Sequence, residues 1–125
     1  MVVGIGIDLV SVARVERVVE RHGDRFVRRV FTTGECEAVT GRFDRIYALA
    51  ARFAAKEACF KALGGARGGG VTFQHIEVLG AAGHAPALRL TGRAAERAGT
   101  LGVRRTWVSL THDAGVAAAL VVLEG

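Results

Sequence analysis

Glu57 and Lys61 stand four residues apart in the run "RFAAKEACFKALGG", which begins at Arg52. On a helix that spacing stacks them on one face. Ala50, Phe53, Ala54 and Phe60 fall on the same face, so the carboxylate lies on an apolar wall. A charge in such a place must be paired, by Lys61, by a metal ion or by both. A structural ion pair and a ligand site both fit this spacing. Arg52 and Lys56 are also four apart and carry like charge, which needs an anion between them or water around both. Asp8, at the end of an apolar opening stretch, supplies a second carboxylate. Far along the chain, "THDAG" places His112 and Asp113 at a hairpin tip. Asp and Gly are ordinary turn residues, but the turn does not need a histidine, so His112 is a candidate for phosphate contact or proton transfer. Two carboxylates, two lysines and a basic surface suit a hard cation and phosphate. Mg²⁺ is commonly held by one or two protein carboxylates, with substrate oxygens completing its shell.

A further set of charges has another character. Arg14, Arg17 and Arg21 fall within about 60° of one another at helical spacing. Arg25 extends this stripe if the chain stays roughly helical past Gly23. A solvated face and a docking ridge for an acidic helix or a phosphate backbone both fit the pattern.

The elements that must position these groups can be read in outline. Val2 to Leu9 reads as a strand in which Gly4 and Gly6 let another backbone come close. Ser11 caps a helix over Val12 to His22, and Gly23 stops it. Asp24 to Val30 adds one or two helical turns. Thr32 and Glu35 in "TTGE" have capping-box spacing and open another short helix. The longest helix runs from about Asp44 to Leu63, and Gly64 to Gly70 is a glycine-rich loop. Val71 to Leu79 reads as a strand with its alternation broken at Gln74 and His75, "GAAGHAP" as a turn, and Ala87 to Leu90 as a short strand. Thr91 caps a helix ending near Gly102. Arg104 to Leu110 and Val116 to Leu123 are strands joined by "THDAG". This order predicts an α+β fold: a small single domain, residues 1–125, with a largely antiparallel sheet packed on a long central helix.

Composition bounds the function classes. The chain has 125 residues and a formal net charge of +5, which fits nucleic acid, a phosphate-bearing small molecule or an acidic protein as partner. Only two of its 17 basic residues are lysines, Lys56 and Lys61, and the rest reflect a general preference for arginine. Aromatic residues make up 6% of the chain and no recognition motif is present, which argues against a nucleic-acid-binding module, the principal alternative to an enzyme. The longest apolar run, Gly115 to Leu123, is too short to span a bilayer, and no basic segment precedes an apolar one at the start. Cys36 and Cys59 are isolated and read as reduced thiols, so a cytoplasmic protein with no membrane partner is expected. No Walker loop, dinucleotide fingerprint or nucleophile elbow occurs.

Taken together the motifs resemble a known family. "GIGIDLVSVARVER" from Gly4, "FTTGE" from Phe31, the K-E-A-x-x-K run from Lys56 and "VSLTHDAGVAAALVVLE" from Val108 are similar, in order, to elements of the holo-[acyl-carrier-protein] synthases, the small bacterial class of 4′-phosphopantetheinyl transferases. They span essentially the whole chain. The resemblance implies the 4′-phosphopantetheinyl transferase fold. It also implies transfer of the phosphopantetheine arm of coenzyme A to a serine of an apo acyl carrier protein, with release of adenosine 3′,5′-bisphosphate. It implies that Asp8 and Glu57 bind Mg²⁺ with the coenzyme A pyrophosphate, that Lys61 neutralises that pyrophosphate, and that His112 contacts phosphate. Glu57, a water on the cation or His112 could take the serine proton. Arg52 and the loop from Gly64 would hold the nucleotide end. Arg14, Arg17, Arg21 and Arg25 would grip the acidic helix of the carrier protein. The family is usually a homotrimer with its sites between neighbouring subunits. The turn "GHAP" departs from the family's pattern, being one residue longer and without its basic side chain.

Overall fold

The computed structural model describes residues 1–65, 69–80 and 84–125. The order of elements is β1 (Val2–Ser11), α1 (Val12–His22), α2 (Asp24–Val30), α3 (Thr33–Val39), α4 (Arg45–Ala62), a 3₁₀ turn (Phe73–His75), β2 (Ile76–Leu79), β3 (Ala87–Leu90), α5 (Gly92–Leu101), β4 (Arg105–Asp113) and β5 (Val116–Glu124). Strands β1, β5 and β4 form one sheet in that spatial order, and β2 and β3 form a second. Every pairing is antiparallel. The expected α+β class, single domain and central helix are therefore present, with the sheet divided in two.

The helix boundaries follow the capping residues. Ser11 Oγ accepts the Arg14 amide at 3.3 Å, and Gly23, whose positive φ of 57° favours glycine, ends α1. The break at Gly23 puts Arg25 on α2, a separate helix, so the basic stripe does not continue through it unbroken. Thr32 and Glu35 form the capping box that opens α3. Thr91 occupies the N-cap position of α5, but its side chain makes no capping bond.

Two expectations need correction. The stretch from Val71 is not a strand as far as Ile76. His75 folds back on Thr72, its amide donating to the Thr72 carbonyl at 3.1 Å and its Nδ1 accepting the Thr72 amide at 3.1 Å. The carbonyl of Phe73 is taken by Lys56 at 2.9 Å, so this segment serves a side chain where a ladder would have used it. Conversely, β4 runs on to Asp113. His112 pairs with Ala117 inside the strand, and the reversal is confined to Ala114 and Gly115, both at positive φ (51° and 78°). Of the glycine-rich loop, Ala66 to Gly68 lie outside the described residues, as do Ala81 to Gly83 of the "GAAGHAP" turn.

The core is built by α4 lying on the inner face of the three-stranded sheet. Its buried residues include Ala48, Ala50, Ala51, Ala54, Ala55, Ala58 and Ala62, which favour the helix and keep its surface thin. Ala117, Ala119, Val121 and Leu123 of β5 face it. Closest approach comes at β1: a Cβ on Gly6 would collide with the Ala58 carbonyl, and one on Gly4 with the Ala62 carbonyl. These glycines bring strand and helix backbones together. On the opposite face of the sheet, Ile5, Ile7 and Leu9 are 63%, 62% and 69% exposed, beside exposed Trp107 and Leu120. Cys36 and Cys59 are free, and burial pushes the Cys59 thiol up to about 12, so it is unreactive at neutral pH. No helix among the described residues is long and apolar enough to cross a membrane.

The glycine contact is testable. Gly6→Ala forces β1 off α4 and is expected to cost about 3 kcal/mol, with roughly 10 °C lost in Tm. Gly99→Ala, in α5 where a Cβ would meet nothing within 4 Å, should instead raise stability by about 0.5 to 1 kcal/mol. Thermal melts of both variants check this, and an unchanged melt for Gly6→Ala contradicts it.

Candidate functional site

Along β1, Gly4, Gly6, Asp8 and Val10 alternate toward the helix, so the two glycines that admit α4 also aim Asp8 at it. Lys61, in the last turn of α4, reaches back to this strand. Its Nζ donates to Asp8 Oδ1 at 3.0 Å and to the Ile7 carbonyl at 2.9 Å. Asp8 and Glu57 line one cavity of about 260 Å³. Its walls are Val15 and Val18 from α1, Phe26 from α2 and Phe53 from α4, with Arg14 at its edge. Asp8 is thus brought to Lys61 by a direct bond and to Glu57 by a shared cavity.

Mg²⁺ fits this donor set by the chemistry of the residues present. Two hard carboxylates face a common space large enough for further oxygen ligands. No group of three or more His, Cys, Asp or Glu able to cage a metal by itself occurs among the described residues, so a cation here would need oxygens from elsewhere to complete its shell.

Arg52 and His112 are gathered elsewhere. At 100° per residue Arg52 lies about 140° round α4 from Glu57. It shares a cavity with His112, Arg42, Asp44 and Tyr47. The His112 ring stands 5.2 Å from that of Tyr47. Arg42 and Asp44 form a bidentate pair, with two bonds of 2.8 Å, which holds the Asp44 carboxyl below its ordinary range. Arg52 is buried; its Nη1 donates to the Ala48 carbonyl at 3.2 Å while its Nε has no hydrogen-bond partner among the described residues. Burial lowers its pKa, and the field of Glu35 opposes that shift. Gly64 sits at φ 88°, where its amide donates to the Lys61 carbonyl at 3.0 Å, so its structural task is to end α4. Arg14, Arg17 and Arg21 line an open cleft along α1 with Glu20 and His22.

One residue escapes spacing altogether. Lys56 is fully buried, and the anion it requires is Glu35, at 2.7 Å. All three ammonium protons are used, on Glu35 Oε1, the Phe73 carbonyl and the Ile76 carbonyl. The Glu35 carboxylate also accepts the amides of Thr32 at 2.9 Å and Val78 at 2.8 Å. Burial lowers the Lys56 pKa while Glu35 opposes the shift. The like-charged spacing of Arg52 and Lys56 asks for an anion, and a capping-box glutamate can supply one. Nothing in the sequence says that these two requirements meet.

Fold and site together define a small α+β domain with a carboxylate pair and a lysine suited to a phosphate-bearing substrate. The family model described as "4′-phosphopantetheinyl transferase superfamily" matches residues 4–121. The chain belongs to that superfamily. It is 50% identical over 128 residues to the holo-[acyl-carrier-protein] synthase of a Methylobacterium species, covering 99% of this chain and 95% of the relative. It resembles the crystal structure of holo-[acyl-carrier-protein] synthase from Neisseria meningitidis, with a TM-score of 0.90, 31% identity and all of both chains covered. The crystal structure of the Helicobacter pylori synthase in complex with coenzyme A aligns with a TM-score of 0.83 and 33% identity, over 96% of this chain and 99% of that one.

The two ion pairs should separate cleanly in stability. Glu35→Gln leaves Lys56 as an uncompensated buried charge and is expected to cost about 3 kcal/mol. Asp8→Asn, whose partner Lys61 has a side chain 55% exposed, should cost less than about 1 kcal/mol. Urea unfolding of both variants measures the difference; equal losses would contradict the assignment of one pair to structure and the other to a site.

Proposed function

We propose that this protein is a holo-[acyl-carrier-protein] synthase, transferring the 4′-phosphopantetheine arm of coenzyme A to a serine of an apo acyl carrier protein. The observation that carries the reading is the single cavity lined by Asp8 and Glu57, with Lys61 bonded to Asp8 at its margin. In the reaction the serine oxygen attacks the phosphorus bearing the pantetheine arm. The P–O bond to the adenosine bisphosphate breaks, and the hydroxyl proton passes to a base. Such a transfer needs alignment and charge neutralisation more than covalent help.

Asp8 and Glu57 are the residues that would hold Mg²⁺, which supplies charge neutralisation at the pyrophosphate when bound. Lys61 adds a mobile positive charge beside the same oxygens. Glu57 and His112 are the protein groups suited to take the serine proton. Arg52 and His112 suit the nucleotide and phosphate end of coenzyme A, with Gly64 turning the chain beside it. Arg14, Arg17 and Arg21 suit an acidic carrier helix, with Arg25 extending the contact from α2; complementary charge of this kind speeds encounter and fixes orientation.

A homotrimer with sites between subunits accounts for two features. Ile5, Ile7 and Leu9 form an exposed apolar strand face of the kind that marks an interaction surface. The Asp8 and Glu57 cavity and the Arg52 and His112 cavity are also distinct within one chain, and a second copy could bring one to the other.

Incubation with coenzyme A, Mg²⁺ and an apo carrier protein, followed by mass spectrometry of the carrier, should show the added phosphopantetheine. Asp8→Ala and Glu57→Ala should each lower kcat/KM by at least about 100-fold while the folded state persists. No mass gain with several fatty-acid and polyketide carriers would overturn the reading. Ile7→Lys should lower the oligomeric mass in light scattering; an unchanged mass would contradict assembly through this face.

A further inference from the structure

Glu57 and Lys56 are consecutive, yet one faces the cavity and the other the interior. We propose that the buried Lys56–Glu35 pair is a positioning device for the reaction: it fixes the rotation of α4 about its own axis, and with it the aim of the Glu57 carboxylate at Asp8. The inference rests on the transferase reading of that cavity.

Helix α4 turns few large side chains toward the sheet. Its sheet-facing surface is almost entirely alanine, and methyl groups give few ridges that resist turning. Taking Glu57 as zero at 100° per residue, Ala58 and Ala62 lie at about +100° and +140°, where β1 presses on their carbonyls. Lys56 lies at about −100°. Glu57 therefore stands between two anchors on the helix circumference, one a backbone contact and the other the ion pair.

The ion-pair anchor is unusually well tied. Through Glu35 it reaches the N-terminus of α3 and the Val78 amide of β2; through its own protons it holds the carbonyls of Phe73 and Ile76. The Phe73 ring stacks on Phe53 with centroids 5.5 Å apart and meets Phe60 edge-on at 5.3 Å. Phe53 is itself a wall of the Asp8 and Glu57 cavity. The same ammonium thus sets both a wall of the site and the angle of its carboxylate.

Stability alone does not account for such a pair. A buried ion pair often contributes no more than well-packed apolar residues of the same volume, and a role in specifying one arrangement is the better reason to keep it. The geometry is sensitive. A carboxylate about 6 Å from a helix axis moves roughly 1 Å for each 10° of rotation. A displacement of about 1 Å can cost on the order of 100-fold in rate. Lys56 is fully buried and its ammonium is saturated by protein groups, so it acts through Glu57 and Phe53 and not on substrate.

The test compares the full-length protein with Lys56→Met and with Lys56→Met/Glu35→Gln, at a temperature where circular dichroism shows each folded. The double variant removes both charges and keeps the experiment decisive if the single one does not fold. Expected is a fall in kcat of about 10-fold or more, with KM for coenzyme A changed by less than about 3-fold. Electron paramagnetic resonance of Mn²⁺ titrated into each protein with coenzyme A, without carrier, should show binding weakened by about 10-fold. Adding Gly99→Ala should raise Tm by a few degrees without raising kcat. A folded variant with wild-type kcat and Mn²⁺ affinity, or recovery of kcat along with Tm, overturns the positioning role while leaving the transferase reading intact. Failure of the wild type to modify any carrier overturns both.

Discussion

Two glycines against two carbonyl oxygens hold the architecture together at its narrowest point. Because Gly4 and Gly6 carry no side chain, β1 settles directly on the Ala58 and Ala62 carbonyls of α4. The alternation of the strand then leaves Asp8, two residues on, facing the same helix. Glu57 is the residue before Ala58, so the contact that closes the core also sets the strand carboxylate near the helix carboxylate, and Lys61 joins them by one further turn. Packing and chemistry share one contact here.

The other side of α4 answers to a different demand. A helix made thin by alanine can approach a sheet closely, but its packing does little to fix its rotation. The buried Lys56 ammonium and Glu35 carboxylate, with every proton and both oxygens engaged, supply a polar specification where the apolar one is weak. Adjacent charges on the helix thereby have separate duties. Lys56 and Arg52 face inward and away from the Asp8 cavity; Glu57 and Lys61 face the cavity and its margin. Across the molecule, His112 and Tyr47 lie together at the end of the β4–β5 hairpin, where a neighbouring copy would have access to them.

Much of this is legible in the sequence, for reasons that differ by residue. Gly4 and Gly6 in an apolar strand signal close backbone approach because little else places paired glycines there. Ser11, Gly23 and the Thr32–Glu35 box mark helix ends through local hydrogen bonds, which depend on near neighbours alone. The pairing of Asp8 with Glu57 and Lys61 is implied by the family resemblance; spacing alone relates only Glu57 and Lys61. What escapes is non-local. The Phe73–His75 turn replaces the first half of an apparent strand because Lys56, 17 residues earlier, takes the Phe73 carbonyl. Glu35 reads as a capping residue and is also the counter-ion of a lysine 21 positions away, a partnership no periodicity encodes. Arg52 looks like a surface cation by type, yet it is buried: its Nη1 donates to the Ala48 carbonyl, and it lines cavities shared with Arg42 and Asp44, ahead of α4, and with Leu110 of β4.

The proposed reaction depends on the carboxylates of Asp8 and Glu57 jointly presenting a cation to the pyrophosphate of coenzyme A. The most direct measurement is a crystal structure with coenzyme A and Mn²⁺, the metal located by its anomalous scattering. The predicted result is one strong peak within coordination distance of both carboxylates, with pyrophosphate oxygens completing the shell. A peak bound elsewhere, or a pyrophosphate seated away from Glu57, would contradict the account.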